Sequence, residues 1–272
     1  MQPAEISRIA EAFQRAQAAR SLIDADTHAA LRGIDIATGY RAGNALHERL
    51  VAQGFQPSGR KIGCTNQQTW AKLGIDAPIV APIYAQTVQD GAADGKVISR
   101  AALQAPRIEL ELAFRLKATP DPAASLADLI DCIEWIAPAI EVVDSHVDAA
   151  QGTPATILCD FGAHAMLLLG TPVPVSALPP LTPAMFAAID ARFQCADTDL
   201  AGGSALVMGS PLISLQAALR IAAHPASPLT PIGAGEIVTT GALAGPVALA
   251  PGQRWMGRLS VAGRDDLTVG VA

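Results

Sequence analysis

Cysteine is scarce in this chain, runs of basic residues are missing, and no apolar stretch is long. The four cysteines (Cys64, Cys132, Cys159 and Cys195) are far apart and form no CxxC pair. That spacing argues against a disulfide framework or a thiolate zinc site and fits reduced, buried thiols in a cytoplasmic protein. Lys and Arg are scattered and the formal net charge is −6, so no nucleic-acid partner is expected, because phosphate binding needs clustered cations. No apolar run approaches the roughly 18–20 residues of a membrane span, and no membrane partner is expected. The most apolar segment, 163–169, has the length of a buried strand. The opening MQPAEISRIAEAFQRAQAAR lacks the basic start and apolar stretch of a signal peptide. There is no internal repeat. The glycines of LTPIGAGEIVTTG lack the strand–GxGxxG–helix order of a dinucleotide site and read as a turn entering a strand.

What is present is a foldable chain: 50% of residues are hydrophobic and 16% charged, over a length of 272. That suits one large domain or one domain with a small appendage. Segments 3–20 and 35–54 read as helices, with Ile6, Ile9, Phe13 and then Tyr40, Leu46, Leu50 at helical spacing. Asp35 is the expected N-cap of the second, and Gly54 with Pro57-Ser58-Gly59 ends it. Short β-like runs follow at 96–99, 108–114, 139–143, 165–169, 236–239 and 254–261. Helical inserts are expected at 66–73, 125–135 and 211–223, with Ser125 as a cap and Pro211 in a first turn. Strands at irregular spacing with few helices predict an α+β or mostly-β domain rather than a doubly wound sheet.

The segment IELELAF holds the chemistry. Side chains alternate along a strand, so Glu109 and Glu111 share one face about 7 Å apart while Ile108, Leu110 and Leu112 take the other. Like charges on one face repel unless a cation lies between them. All-oxygen ligation suits Mg²⁺ or Mn²⁺; the alternative is a solvated outer face on an edge strand. Glu141, inside the run AIEVV, has to be paired, protonated or metal-bound, with a salt bridge to an arginine such as Arg107 as its plainer fate. Lys61, in GRKIGCT at the end of a short strand, fits a proton donor or acceptor beside a metal, or else a solvated surface lysine. His164, in AHAMLLLG, fits a core histidine as well as a catalyst.

Six pieces occur in order: GRKIGCTN (59–66), LGIDAP (73–78), APRIELELAF (105–114), PAIEVVDS (138–145), MGSPL (208–212) and GEIVTTGAL (235–243). On them the chain resembles the 2-keto-4-pentenoate hydratase / 4-oxalocrotonate decarboxylase group of the fumarylacetoacetate hydrolase superfamily. The resemblance implies a helical N-terminal region (1–58) followed by a metal-binding mixed β-roll (59–272). It implies Glu109, Glu111 and Glu141 as ligands of Mg²⁺ or Mn²⁺, and Lys61 as the active-site lysine. It further implies Asp160 and His164 as catalytic candidates and Gly63, Thr240 and Gly241 as substrate contacts. Two departures stand out. Ile79 replaces an acid that the family often uses in acid/base work, and Asp160-Phe161-Gly162-Ala163-His164 replaces a D-N-x-S-S segment, with His164 where a serine is expected.

The implied activity is hydration of a 2-hydroxy-2,4-dienoate, a step in aromatic catabolism. Decarboxylation of a 4-oxalocrotonate-type 2-oxo acid is the first alternative, and hydrolysis of an acylpyruvate C–C bond, with His164 as base, the next. A non-catalytic partner of such an enzyme is the last. A small 2-oxo acid is the expected substrate. A homo-oligomer, or a complex with a paralogous decarboxylase or hydratase, is the expected assembly.

Overall fold

The computed structural model describes residues 1–91, 96–261 and 266–272. Three helices open the chain: α1 (Pro3–Ala19), α2 (Ala25–Ala30) and α3 (Ile36–Ala52). Next come β1 (Pro57–Gly63), α4 (Trp70–Leu73), β2 (Ile79–Tyr84), β3 (Val88–Asp90) and β4 (Val97–Ile98). The central hairpin is β5 (Arg107–Leu116), α5 (Leu126–Asp131) and β6 (Ile133–Val143), followed by α6 (Pro154–Leu158), β7 (His164–Leu169) and β8 (Val173–Pro174). The last part is α7 (Pro183–Ala187), β9 (Asp190–Cys195), β10 (Thr198–Gly203), α8 (Pro211–Ala223), β11 (Ile237–Thr239), β12 (Ala244–Ala248), β13 (Arg254–Leu259) and β14 (Leu267–Val271).

These strands form two curled sheets. The larger runs β2-β1-β11-β5-β6-β7-β3, with β12 added beside β5 and β8 beside β6; the smaller runs β10-β9-β13-β14-β4. Parallel pairing of β1 with β11 among antiparallel neighbours makes the larger sheet mixed, as expected for an α+β roll. The alternation in β5 decides which face is which. Ile108, Leu110, Leu112, Phe114 and Leu116 are fully buried and pack against Phe193 and Trp255 of the smaller sheet and Leu212 and Leu215 of α8. Each such side chain contributes about 1.5–3 kcal/mol of burial. The opposite face carries Glu109, Glu111 and Ala113.

The N-terminal helices cover the β1–β2 side of that second face. Ile9 and Phe13 of α1 and Leu46 of α3 share a core with Ala81, Tyr84 and Phe161. Asp35 caps α3 as expected, accepting from Thr38 N at 2.8 Å. Gly39 lets α3 dock tightly on α6, since a Cβ there would lie 2.3 Å from Ala155 O.

Most expected elements are present, and four readings change. The helix expected over 125–135 ends at Asp131, and Ile133 and Trp135 belong to β6; their bulk and branching suit a pleated surface. β2 (IVAPIY) is buried along its whole length, so it shows no alternation to read. α6 was marked by a Thr153/Thr156 capping box with Pro154 in its first turn, a signal passed over. The hairpin β9–β10 was also missed. Ser204–Ala223 is long and apolar enough by composition to cross a membrane. It is nevertheless split, its helix proper spanning only 13 residues, about 20 Å against the roughly 30 Å of a bilayer core.

Candidate active site and metal centre

Register brings the carboxylates together. β5 pairs with β6 so that Glu109 lies opposite Glu141 and Glu111 opposite Ala139, placing all three acids on one face. One oxygen from each lies within 4.8 Å of the others. Glu111 and Glu141 are fully buried, and Glu109 is part-buried. At an effective dielectric near 20, each charged pair at such a distance repels by roughly 3 kcal/mol.

Each acid has different company. Glu111 Oε2 accepts from Gly241 N at 2.9 Å, while its Oε1 is buried with no hydrogen-bond partner among the described residues. Burial first, then the charges of Glu141 and Glu109, hold its carboxyl well above the usual range. Burial likewise raises Glu109, against the pull of Lys61. Glu141 goes the other way: burial would raise it, but the Lys61 charge and the His164 contact outweigh burial and lower it. Lys61 Nζ lies 3.0 Å from Glu141 Oε2 as a buried ion pair. It also donates to Gly162 O at 3.0 Å. Burial opposes its charge, but the three glutamates hold it firmly as an ammonium.

Glu141 is therefore not paired with Arg107, whose guanidinium donates to Pro246 O. His164 Nδ1 lies 2.7 Å from Glu141 Oε1. Its Nε2 lies 2.9 Å from Thr87 Oγ1, whose own proton goes to Tyr84 O. His164 thus holds Glu141 from behind. Among the described residues no other candidate base for a C–C hydrolysis contacts the trio.

A divalent cation fits this donor set. Three carboxyl groups gathered beside a single lysine make an acceptor-rich cluster that a divalent ion would hold together in ionised form. The unpartnered Glu111 oxygen is an acceptor that the fold itself leaves unused. The donors are all hard oxygens, which favours Mg²⁺-like ions over zinc.

The remaining expected residues divide. Gly63 lies beside the lysine: a Cβ there would lie 3.6 Å from Lys61 Cε and 3.1 Å from Ile79 Cγ1. Ile79 and the lysine stem thus border the same glycine, and the residue at this place is apolar. Gly241 (φ +100) is tied to glycine, since a Cβ would lie 2.2 Å from Thr65 Oγ1; its N–H serves Glu111 rather than a substrate. Thr240 is bonded within the fold. Its hydroxyl donates to Leu112 O at 3.0 Å and its carbonyl accepts from Ser214 Oγ at 2.8 Å, so it is built into the fold.

Asp160 makes its contacts with other residues. Its carboxylate accepts from His146 N at 2.7 Å, lies 3.0 Å from His146 Nδ1 and accepts from Gln17 Nε2 at 3.2 Å, away from the glutamates. It anchors the left-handed turn Phe161-Gly162-Ala163 (φ 52, 65 and 63), from which Gly162 O grips Lys61. His146 and Thr87 were not foreseen, because their partners are far away in sequence.

The Asp160–His146 pair has a pH signature. Burial disfavours the His146 charge, but the hydrogen bond and charge of Asp160 outweigh it and raise the imidazole above its usual value near 6.5. Its stabilisation is therefore complete below about pH 6.5 and is lost as pH rises through the higher folded value. The thermal midpoint of the wild type should exceed that of His146→Gln most at pH 6, the gap narrowing by pH 9. A gap that does not change with pH would rule out the charged pair.

A cavity of about 550 Å³ touches Cys64, Arg107, Val143 and Ala163. Arg107 and Val143 are the next same-face pair beyond Glu109 and Glu141. Through Leu73, Val147, Thr153 and Pro154 the cavity continues into an outer cleft of about 810 Å³.

No protein-family model matches the chain. It is 30% identical over 208 residues to 2-keto-4-pentenoate hydratase 1 of Dechloromonas aromatica, covering 75% of this chain and 74% of that one. It is 23% identical over 236 residues to the 4-oxalocrotonate decarboxylase of a Pseudomonas species, covering 80% and 81%. Its fold is that of 4-oxalocrotonate decarboxylase from Pseudomonas putida G7, solved with magnesium and adipate: TM-score 0.87, 21% identity, 100% and 99% of the two chains covered. The chain belongs to the 2-keto-4-pentenoate hydratase family.

Proposed function

We propose that this enzyme is a divalent-metal-dependent hydro-lyase that adds water to a 2-hydroxy-2,4-dienoate, the tautomer of a 2-oxo-4-enoate. The convergence of Glu109, Glu111 and Glu141 within 4.8 Å carries this reading, together with the 30% identity to a 2-keto-4-pentenoate hydratase. These three residues would hold the ion, Mg²⁺ or Mn²⁺ by their hard oxygens. When bound, such an ion supplies Lewis acidity to the carboxylate–carbonyl end of a 2-oxo acid.

The chain's own groups do the rest. Lys61, kept as an ammonium, stabilises negative charge developing on the C2 oxygen and is placed to donate a proton to it. His164 and Thr87 fix the orientation of Glu141, and Gly241 fixes that of Glu111. Asp160 acts at a distance, through the turn that presents Gly162 O to Lys61. Ile79, Gly63 and Ala81 keep water from the lysine stem.

Ile79 also supports a second reading. With an apolar residue where an acid is expected, loss of a distal carboxylate as CO₂ asks less acid/base chemistry of the site than hydration does. The two are separated by assay with Mg²⁺ present. Consumption of 2-hydroxypenta-2,4-dienoate, followed by its ultraviolet absorbance and stopped by a chelator, is the expected result. Carbon dioxide release from 4-oxalocrotonate without dienoate turnover would assign the decarboxylase instead. Silence on both substrates would overturn the lyase reading.

A further inference from the structure

Thr239 bears a polar group in the site that the fold does not use. Its side chain is fully buried, and its Oγ1 has no hydrogen-bond partner among the described residues. A buried hydroxyl left unpaired costs about 1–3 kcal/mol and is uncommon in folded chains.

Backbone register fixes where it points. Thr239 on β11 pairs in parallel with Lys61 on β1 and antiparallel with Ala113 on β5. Residues paired in register share a face of the sheet, so this hydroxyl lies on the Lys61 side and next to the strand that carries Glu111. Thr240 points the opposite way and is fully bonded. On the site face three buried oxygens have no hydrogen-bond partner among the described residues: Glu141 Oε2, which Lys61 Nζ faces as an ion pair at 3.0 Å, Glu111 Oε1, which can only accept when ionised, and Thr239 Oγ1, which has a proton to give. The acceptor suits a cation. The donor, beside an ammonium that already repels cations, suits an anionic oxygen.

We infer that the Thr239 hydroxyl, together with Lys61, binds an anionic oxygen of the 2-oxo acid in the site. This rests on the metal-dependent lyase reading and adds to it a specific ligand contact. In a site closed to water such a bond is charge-assisted and stronger than its neutral counterpart.

The test uses Thr239→Val, which keeps the shape and removes the hydroxyl, and Thr239→Ser, which keeps the hydroxyl. Because the fold gives Oγ1 no partner, the metal-free thermal midpoint of Thr239→Val should equal or exceed that of the wild type. Its Mg²⁺ affinity should stay within about twofold of wild type. Oxalate, an unreactive mimic of the carboxylate–carbonyl end of a 2-oxo acid, should bind the Mg²⁺-loaded variant about 10-fold more weakly by calorimetry. That is the loss of one charge-assisted hydrogen bond of about 1.4 kcal/mol. Thr239→Ser should restore most of the affinity. A lowered thermal midpoint would show that the hydroxyl has a partner within the fold, and undiminished oxalate binding would show that it touches no ligand; either overturns the inference alone. A wild-type protein that takes up no oxalate with Mg²⁺ present would overturn the lyase reading, and this inference with it.

Discussion

Replacing Glu111 by glutamine should raise the thermal midpoint of the metal-free protein and abolish its response to divalent ions. The two effects have one cause. Glu111 is fully buried beside two other carboxylates, and one of its oxygens is bonded to Gly241 while the other has no partner among the described residues. An amide keeps the acceptor that Gly241 N–H needs and turns the unpartnered oxygen into a donor facing the neighbouring acids. Relief of the repulsion is worth about 1 kcal/mol or more, which in a chain of this size is about 2–4 °C.

The sign with pH follows from the raised carboxyl of Glu111. The folded state holds that proton where the unfolded chain releases it, so wild-type stability falls as pH rises above about 4.5, and the advantage of the amide variant grows over the same range. In the presence of Mg²⁺ the order reverses. Excess ion at 100 times its dissociation constant stabilises the wild type by about 2.7 kcal/mol, while the variant, its affinity reduced roughly 100-fold or more, gains almost nothing. Scanning calorimetry with chelator and with Mg²⁺ measures both. A variant that responds to Mg²⁺ like the wild type would remove Glu111 from the ligand set.

Lys61→Met separates charge from packing. The methionine keeps the stem that touches Gly63, Gly162 and Ile79 but leaves Glu141 without its buried counter-charge. Breaking a buried pair from one side costs about 3–5 kcal/mol, so the metal-free variant should melt about 10 °C lower. Mg²⁺ should recover much of that loss, because the ion supplies the missing positive charge and no longer competes with the ammonium. Turnover should still fall by about 10²- to 10⁴-fold, the range of a lost acid/base group. Calorimetry and the dienoate assay together decide this. Normal turnover with metal bound would leave Lys61 a purely structural counter-ion.

How much of this was legible in the sequence depends on whether the interaction is local. The alternation in Arg107–Leu116 announced a strand with two acids on one face, because strand period is set by the backbone alone. Asp35 as a cap and the helix α3 behind it were readable for the same reason. Glu141 was suspected from its apolar neighbours, yet its partner was not: Lys61 is brought to it through β11 and β5, a connection that no spacing encodes. Thr240 and Thr239 show the limit most plainly. Adjacent threonines in VTTG look interchangeable, and only the register of β11 against β1 and β5 turns one into the fold and the other into the site. Asp160 seemed catalytic because it is acidic and matches a family position, while its structural work depends on His146 and on Gln17 from α1. Trp135 was lost to β6 because helix and strand signals overlap where α5 hands over directly to a strand.

The most direct test of the metal centre is diffraction from crystals soaked in Mn²⁺ and recorded at the manganese absorption edge. One anomalous peak is expected, about 2.0–2.2 Å from an oxygen of each of Glu109, Glu111 and Glu141. A map without density between these side chains, or with the ion held by other residues, would contradict it.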